Sequence, residues 1–91
     1  MRPPPRVLIA TWYRWPSAAR MAAALIAGGV HVDVVCPHFH PIQTLKGLSR
    51  RFRFAISSPS RSLARAIERS KPAIILPCDD FALGELNRLR L

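Results

Sequence analysis

Lys71-Pro72-Ala73-Ile74-Ile75-Leu76-Pro77-Cys78-Asp79-Asp80 sets the architecture of this chain. The apolar run Ala73 to Leu76, closed by proline on both sides, reads as a strand covered on both faces, the pattern of parallel sheets flanked by helices. The paired aspartates then open a helix near Phe81. Ligands of open parallel sheets collect outside the carboxyl ends of the strands, which puts Cys78 and Asp79 at the rim of a crevice. Asp80 is expected to cap the helix, because an acid there accepts from free N–H groups and complements the dipole. Asp79 is left to face the crevice.

The preceding segments supply the partners of that strand. Arg6 to Ala10 (RVLIA) is an aliphatic, β-branched run suited to a first, central strand. Thr11-Trp12-Tyr13-Arg14-Trp15-Pro16 is a loop, and Ser17 is the expected N-cap of a helix whose Ala18, Met21, Ala22, Leu25 and Ile26 recur at helical spacing. Gly28-Gly29 ends it, since glycine tolerates the left-handed conformation after a helix. His31 to Cys36 (HVDVVC) is a second strand, stopped by Pro37. Pro37 to Arg51 has no clear period and reads as a loop with a helical turn around Leu45 to Leu48. Phe52 to Ile56 alternates as a short edge strand. Ser60 or Ser62 caps the next helix, with Leu63, Ala66 and Ile67 inward, and the last helix carries Leu83, Leu86 and Leu89.

Strands and helices therefore alternate after a loose lead-in over residues 1–5, in one domain over 6–91. Short right-handed crossovers place the first strand centrally in a parallel α/β sheet of about four strands, order 3-2-1-4, flanked by helices. The last helix is still in register at Leu91. The expectation is an incomplete fold, from a truncated or split protein, with one uncovered sheet edge that offers a surface for association.

Ninety-one residues, 49% of them apolar, suit one small packed domain rather than a disordered chain. Met21 to Val30 is the nearest approach to a membrane span and is far too short. The arginines of the first thirty residues fit a strand and helix better than a transit peptide. Cys36 and Cys78 are too few and too far apart for a disulfide framework, so they are read as free thiols of a cytoplasmic protein. The net charge of +9 permits polyanion binding, but only Arg50-Arg51-x-Arg53 is dense, and a solvated basic surface accounts for the remainder.

The loop after the first strand has no G-x-G-x-x-G, and no G-x-x-x-x-G-K-[ST] occurs anywhere, which removes both common nucleotide cradles. Trp12, Tyr13 and Trp15 beside Arg14 either cover the sheet end or contact a ligand. Cys36-x-His38-x-His40 has ligand types suited to zinc, but the flanking prolines and the want of a fourth ligand favour surface or substrate-side histidines. No nucleophile–base arrangement stands out, so neither catalytic residues nor a metal site are assigned.

Several of these segments together resemble a known family. They are the first strand, the Ala-rich helix ending at Gly28-Gly29, and His31-Val32-Asp33-Val34-Val35. Leu48-Ser49-Arg50-Arg51-Phe52, Pro59 with Leu63-Ala64-x-Ala66-Ile67, and Lys71 to Asp80 extend the likeness. From about Arg6 to Leu89 the chain resembles the Rossmann-like N-terminal domain that precedes ATP-grasp modules in carbamoyl-phosphate-synthase-like proteins and carboxylate–amine ligases. The resemblance implies a ligase that activates a carboxylate as an acyl phosphate for attack by an amine. ATP and Mg²⁺ would belong to an ATP-grasp module in cis or in trans, because neither the nucleotide-binding lysine nor the Mg²⁺-binding carboxylates occur here. This domain would shape the side of the small carboxylate or amine substrate through Thr11, Trp12, Cys78 and Asp79, without catalysis by the chain alone. The aromatic loop departs from the small-residue turn usual in the family. Two rival readings are a basic module using Arg50, Arg51 and Arg53 on nucleic acid, disfavoured by the missing interleaved aromatics, and a standalone α/β interaction domain. A response-regulator likeness fails on the missing acidic pair after the first strand.

Overall fold

In the computed structural model, which describes residues 4–89, four strands form one parallel sheet in the order β3-β2-β1-β4. β1 (Arg6–Ala10) is followed by α1 (Pro16–Ala27), β2 (His31–Cys36), a 3-10 turn over Pro41–Thr44, β3 (Arg50–Arg53), α2 (Pro59–Ser70), β4 (Ile74–Pro77) and α3 (Asp80–Leu89). The α/β class and the 3-2-1-4 order are those expected from the alternation of segments. β1 is central, with Val7 opposite both Val32 and Ile74.

The two faces of the sheet follow from the period-2 alternation of strand side chains. On one, Val7, Ile9, Val32, Val34 and Cys36 pack against Ala18 and Ala22 of α1 and against Ile42. The alanines let the helix lie close to the sheet. On the other, Leu8, Ala10 and Val35 meet Phe54, Leu63 and Ala66, with Ala82 of α3. Gly29 takes φ +87 after α1, as its position in the Gly28-Gly29 pair predicts. Gly47 takes φ +95, and a Cβ there would lie 2.9 Å from the Ile26 side chain.

Several local expectations are corrected. The α1 N-cap is Trp15, and no side chain caps that end, because Pro16 already occupies the first turn and lacks the N–H that needs a partner. Met21 is exposed. The turn before β3 lies over Pro41–Thr44, since Pro41 presets its backbone and the His40 ring accepts from the Ile42 N–H at 3.1 Å. β3 begins at Arg50 rather than Phe52, while Phe54 is carried inward just after it by its N–H to the Cys36 carbonyl, 2.8 Å. Ser58 is the α2 N-cap, and Ser62 instead bridges Ala55 N–H and Pro59 O. β4 is an edge strand, not covered on both faces, and Ile74 is 54% exposed. Leu83 faces outward, and Glu85 takes an inward place by accepting from the Ser60 hydroxyl.

The most deeply buried acidic residue among those described is on β2. Asp33 is fully buried, its Oδ1 accepting from Arg6 Nη1 at 2.9 Å and its Oδ2 from Ser70 Oγ at 2.7 Å. These bonds tie β2 to the start of β1 and to the end of α2. A buried carboxylate is tolerated only with such partners. Asp33→Ala is expected to cost about 3 kcal/mol, because it strands the Arg6 charge, and Ser70→Ala about 1 kcal/mol. Urea unfolding checks both, and equal costs would show that the ion pair contributes nothing beyond one neutral hydrogen bond.

Candidate functional site

The carboxyl ends of the strands carry the four residues expected on the substrate side. The Thr11 hydroxyl and the Trp12 amide are turned on the Asp79 carboxylate, while the Cys78 thiol donates to the Leu76 carbonyl at 3.7 Å. Asp79 lies between β4 and α3, one residue past Cys78. Its Oδ2 accepts from Thr11 Oγ1 at 3.1 Å, from Trp12 N–H at 2.6 Å and from Tyr13 N–H at 3.0 Å. Its Oδ1 accepts from Ala82 N–H at 2.8 Å, so Asp79, and not Asp80, caps α3. Asp79 wins this role because it is the residue before the first helical turn, the place from which a side chain reaches the third amide. One carboxylate thereby closes a link from β4 to the loop after β1, 68 residues apart at Thr11.

The other members are structural for the same reason. Thr11 is buried. Trp12 stacks on Phe81 with centroids 4.0 Å apart and meets Phe54 edge-on at 5.1 Å. Its ring therefore covers the end of the α2/α3 face. Cys78 packs half-buried against the α1-side core. His40, read from sequence as a surface or substrate-side histidine, is buried. Its Nδ1 accepts from Ile42 N–H at 3.1 Å, so the ring proton sits on Nε2 and is donated to the Tyr13 carbonyl at 2.6 Å. The loop is thus held from one side by Asp79 and from the other by His40.

Immediately beside this latch opens a crevice of about 540 Å³. Arg14 comes from the loop after β1, His38 and Phe39 from the loop after β2, and Arg53 and Ile56 from the end of β3 and the loop after it. Phe39 is 75% exposed and Ile56 81% exposed, so two large apolar side chains flank the guanidinia in water. The arrangement can hold an organic anion, with its charge on the arginines and its apolar body on Phe39 and Ile56. Sequence reasoning noted Arg14, His38 and Arg53 in separate contexts but did not join them into one site and passed over Phe39 and Ile56, although all five lie at or within a few residues of the carboxyl end of a strand. Tyr13 and Trp15 stack on each other at 5.3 Å at the surface, with Trp15 61% exposed.

A nucleotide phosphate does not fit the first strand-to-helix turn. The amides that would meet it, those of Trp12 and Tyr13, already bond the chain's own carboxylate. Among the described residues no group of three or more His, Cys, Asp and Glu side chains could hold a metal ion, and Cys36-His38-His40 is broken up by the inward turn of His40. No helix among them is long and apolar enough to cross a membrane. The chain matches no protein-family model, no curated protein and no solved structure at a significant level.

Burial pushes the Cys36 thiol from its ordinary 9.0 up to about 11, against smaller opposing pulls from the Gln43 amide and Arg51. Cys78 is also raised, by burial first and by the neighbouring Asp79 charge second. Neither thiol is activated as a nucleophile. Both should alkylate more slowly than free cysteine near neutral pH, with half-buried Cys78 ahead of Cys36, as mass spectrometry after iodoacetamide would show. The unfolded Cys36 thiol ionises first as pH rises, so its contribution favours unfolding progressively between 9.0 and about 11. A Cys36→Ala variant should lose that part of the alkaline decline in stability.

Asp79→Ala removes a helix cap and orphans three loop donors. It should cost about 3 kcal/mol, roughly 1 of it the cap, with faster amide exchange at Trp12 and Tyr13. Asp79→Asn, which keeps one acceptor oxygen, should fall between. Unchanged exchange at both amides in Asp79→Ala would show that the latch does not hold the loop.

Proposed function

We propose that this chain is the substrate-side domain of an ATP-grasp type carboxylate–amine ligase, with the ATP-grasp module supplied in cis or in trans. The crevice at the carboxyl ends of β1, β2 and β3 carries this reading. It combines Arg14 and Arg53 with the exposed Phe39 and Ile56, a combination suited to a small carboxylate with an apolar body. The parallel 3-2-1-4 sheet and the segments resembling pre-ATP-grasp domains support it. The half-exposed β4 strand offers the further module a place to pack.

Among the described residues the first strand-to-helix turn is closed by Asp79 and no carboxylates cluster, so in this reading ATP and Mg²⁺ belong to the ATP-grasp module and this chain binds and orients the substrate. Guanidinium forks fix a carboxylate in two directions at once. The Asp79 and His40 bonds keep the loop that carries Arg14 from shifting. Thr11, Trp12, Cys78 and Asp79 serve the substrate indirectly in this reading, by holding the rim in shape.

Titration of the isotopically labelled chain with a panel of aliphatic and aromatic carboxylic acids tests the proposal. Saturable amide shifts confined to residues around Arg14, His38, Phe39 and Arg53 are expected, lost in Arg14→Gln/Arg53→Gln, with no phosphate released from Mg-ATP by the chain alone. Shifts scattered over the basic surface, or Mg-ATP turnover without a second module, would sink it.

A further inference from the structure

On the far side of the molecule from α1, α2 and the edge strand β3 enclose a second groove, of about 390 Å³, whose lining includes Arg51, Arg53, Arg61, Arg65 and Arg69. Three of these, Arg61, Arg65 and Arg69, recur every fourth residue of α2 and so stand in one row along the helix, about 6 Å apart. No acidic side chain lines the groove. Glu68, the one acid of α2, lies outside it. Among the described residues the salt bridges are Arg6–Asp33 and Arg88–Glu85, so none engages this row. Arg51 is committed elsewhere, donating to the Gln43 and Leu45 carbonyls at 2.8 and 3.1 Å. That leaves Arg61, Arg65 and Arg69 of α2 as the arginines of this groove alone, with Arg53 shared between it and the crevice.

A solvated helix surface does not require this arrangement. Like charges at four-residue spacing destabilise a helix, and Arg61 lies in the first turn, where the dipole opposes a cation. That turn contains no acid to offset it. The choice of cation is also one-sided: of the 14 basic residues only Lys46 and Lys71 are lysines, and neither is in the groove. Arginine offers a planar fork matched to phosphate oxygens.

We propose that this groove binds the phosphodiester backbone of a single-stranded nucleic acid. The row of guanidinia meets successive phosphates of an extended strand, and the groove's recessed shape suits a strand better than a flat bilayer. Phe52, the one aromatic residue of the lining, is half-buried against the core, so the contacts are to phosphates alone and carry no sequence information. The charge row brought together by β3 and α2 outweighs the missing aromatics that disfavoured this reading in the sequence. This site is separate from the carboxylate crevice, although Arg53 borders both.

Fluorescence anisotropy of a labelled oligothymidylate with the 91-residue chain tests the assignment. Between about 50 and 200 mM salt, log K should fall against log salt with a slope near −3, at about −0.7 per phosphate contacted on a single strand. R61Q/R65Q/R69Q should weaken binding at least tenfold more than R20Q/K46Q/R88Q, which removes the same charge from exposed positions outside the groove. In the wild-type chain, amide shifts on adding the oligonucleotide should cluster over residues 51–69. Equal weakening by the two triple variants, or shifts spread over the whole surface, would overturn the proposal in favour of diffuse charge. Displacement by polyglutamate as effective as by unlabelled oligonucleotide at equal charge would overturn the assignment to phosphate.

Discussion

The Asp79 carboxylate is the constraint on which the functional end of the molecule depends. It caps α3 and gathers the hydroxyl of Thr11 with the amides of Trp12 and Tyr13. In dinucleotide-binding folds, turn glycines let a pyrophosphate approach the backbone at this place. Here a protein carboxylate fills the corresponding position, so no ligand needs close access and bulky rings are accommodated. Trp12 can then fold inward on Phe81 and Phe54. The aromatic loop and the missing glycines are two results of one interaction.

The same economy of acidic groups shapes the electrostatics. The chain has five acids, and Asp33, Asp79 and Glu85 are engaged by internal hydrogen bonds. Only Glu68 and Asp80 are left on the exposed surface to offset the basic residues. The +9 charge is therefore expressed outward, and most densely where β3 and α2 adjoin. That density was not visible in the chain order, because the Arg50-Arg51-x-Arg53 run and the α2 row meet only in three dimensions. The run itself proved less available than it reads, since Arg50 donates to the Arg69 carbonyl at 2.8 Å and Arg51 to two further carbonyls.

What was legible in the sequence was whatever local pattern governs. Alternating apolar runs gave β1 and β2 with the right limits, and Gly28-Gly29 gave the end of α1. Boundaries slipped where proline replaced a side-chain cap, at Pro16 and Pro59, and where pairing with a neighbouring strand decided the matter, at β3. The α3 cap fell to Asp79 rather than Asp80, because choosing between them requires knowing that the Trp12 and Tyr13 amides point at one of them. His40 read as a surface residue for a similar reason: both its hydrogen-bond partners lie on backbone whose course sequence alone does not supply. Arg14 and Arg53 were noted in separate runs and Phe39 not at all, and the three acquire a common meaning only because the parallel sheet brings the carboxyl ends of β1, β2 and β3 to one edge.

The placement of β1 also has a consequence for biosynthesis. One side of this strand pairs with β2, a short crossover away, but the other waits for β4, and the Thr11–Asp79 bond spans 68 residues. During translation β1 therefore leaves the ribosome with a hydrophobic edge that cannot be closed until nearly three quarters of the domain has followed, a separation that slows folding and exposes the edge to misassociation.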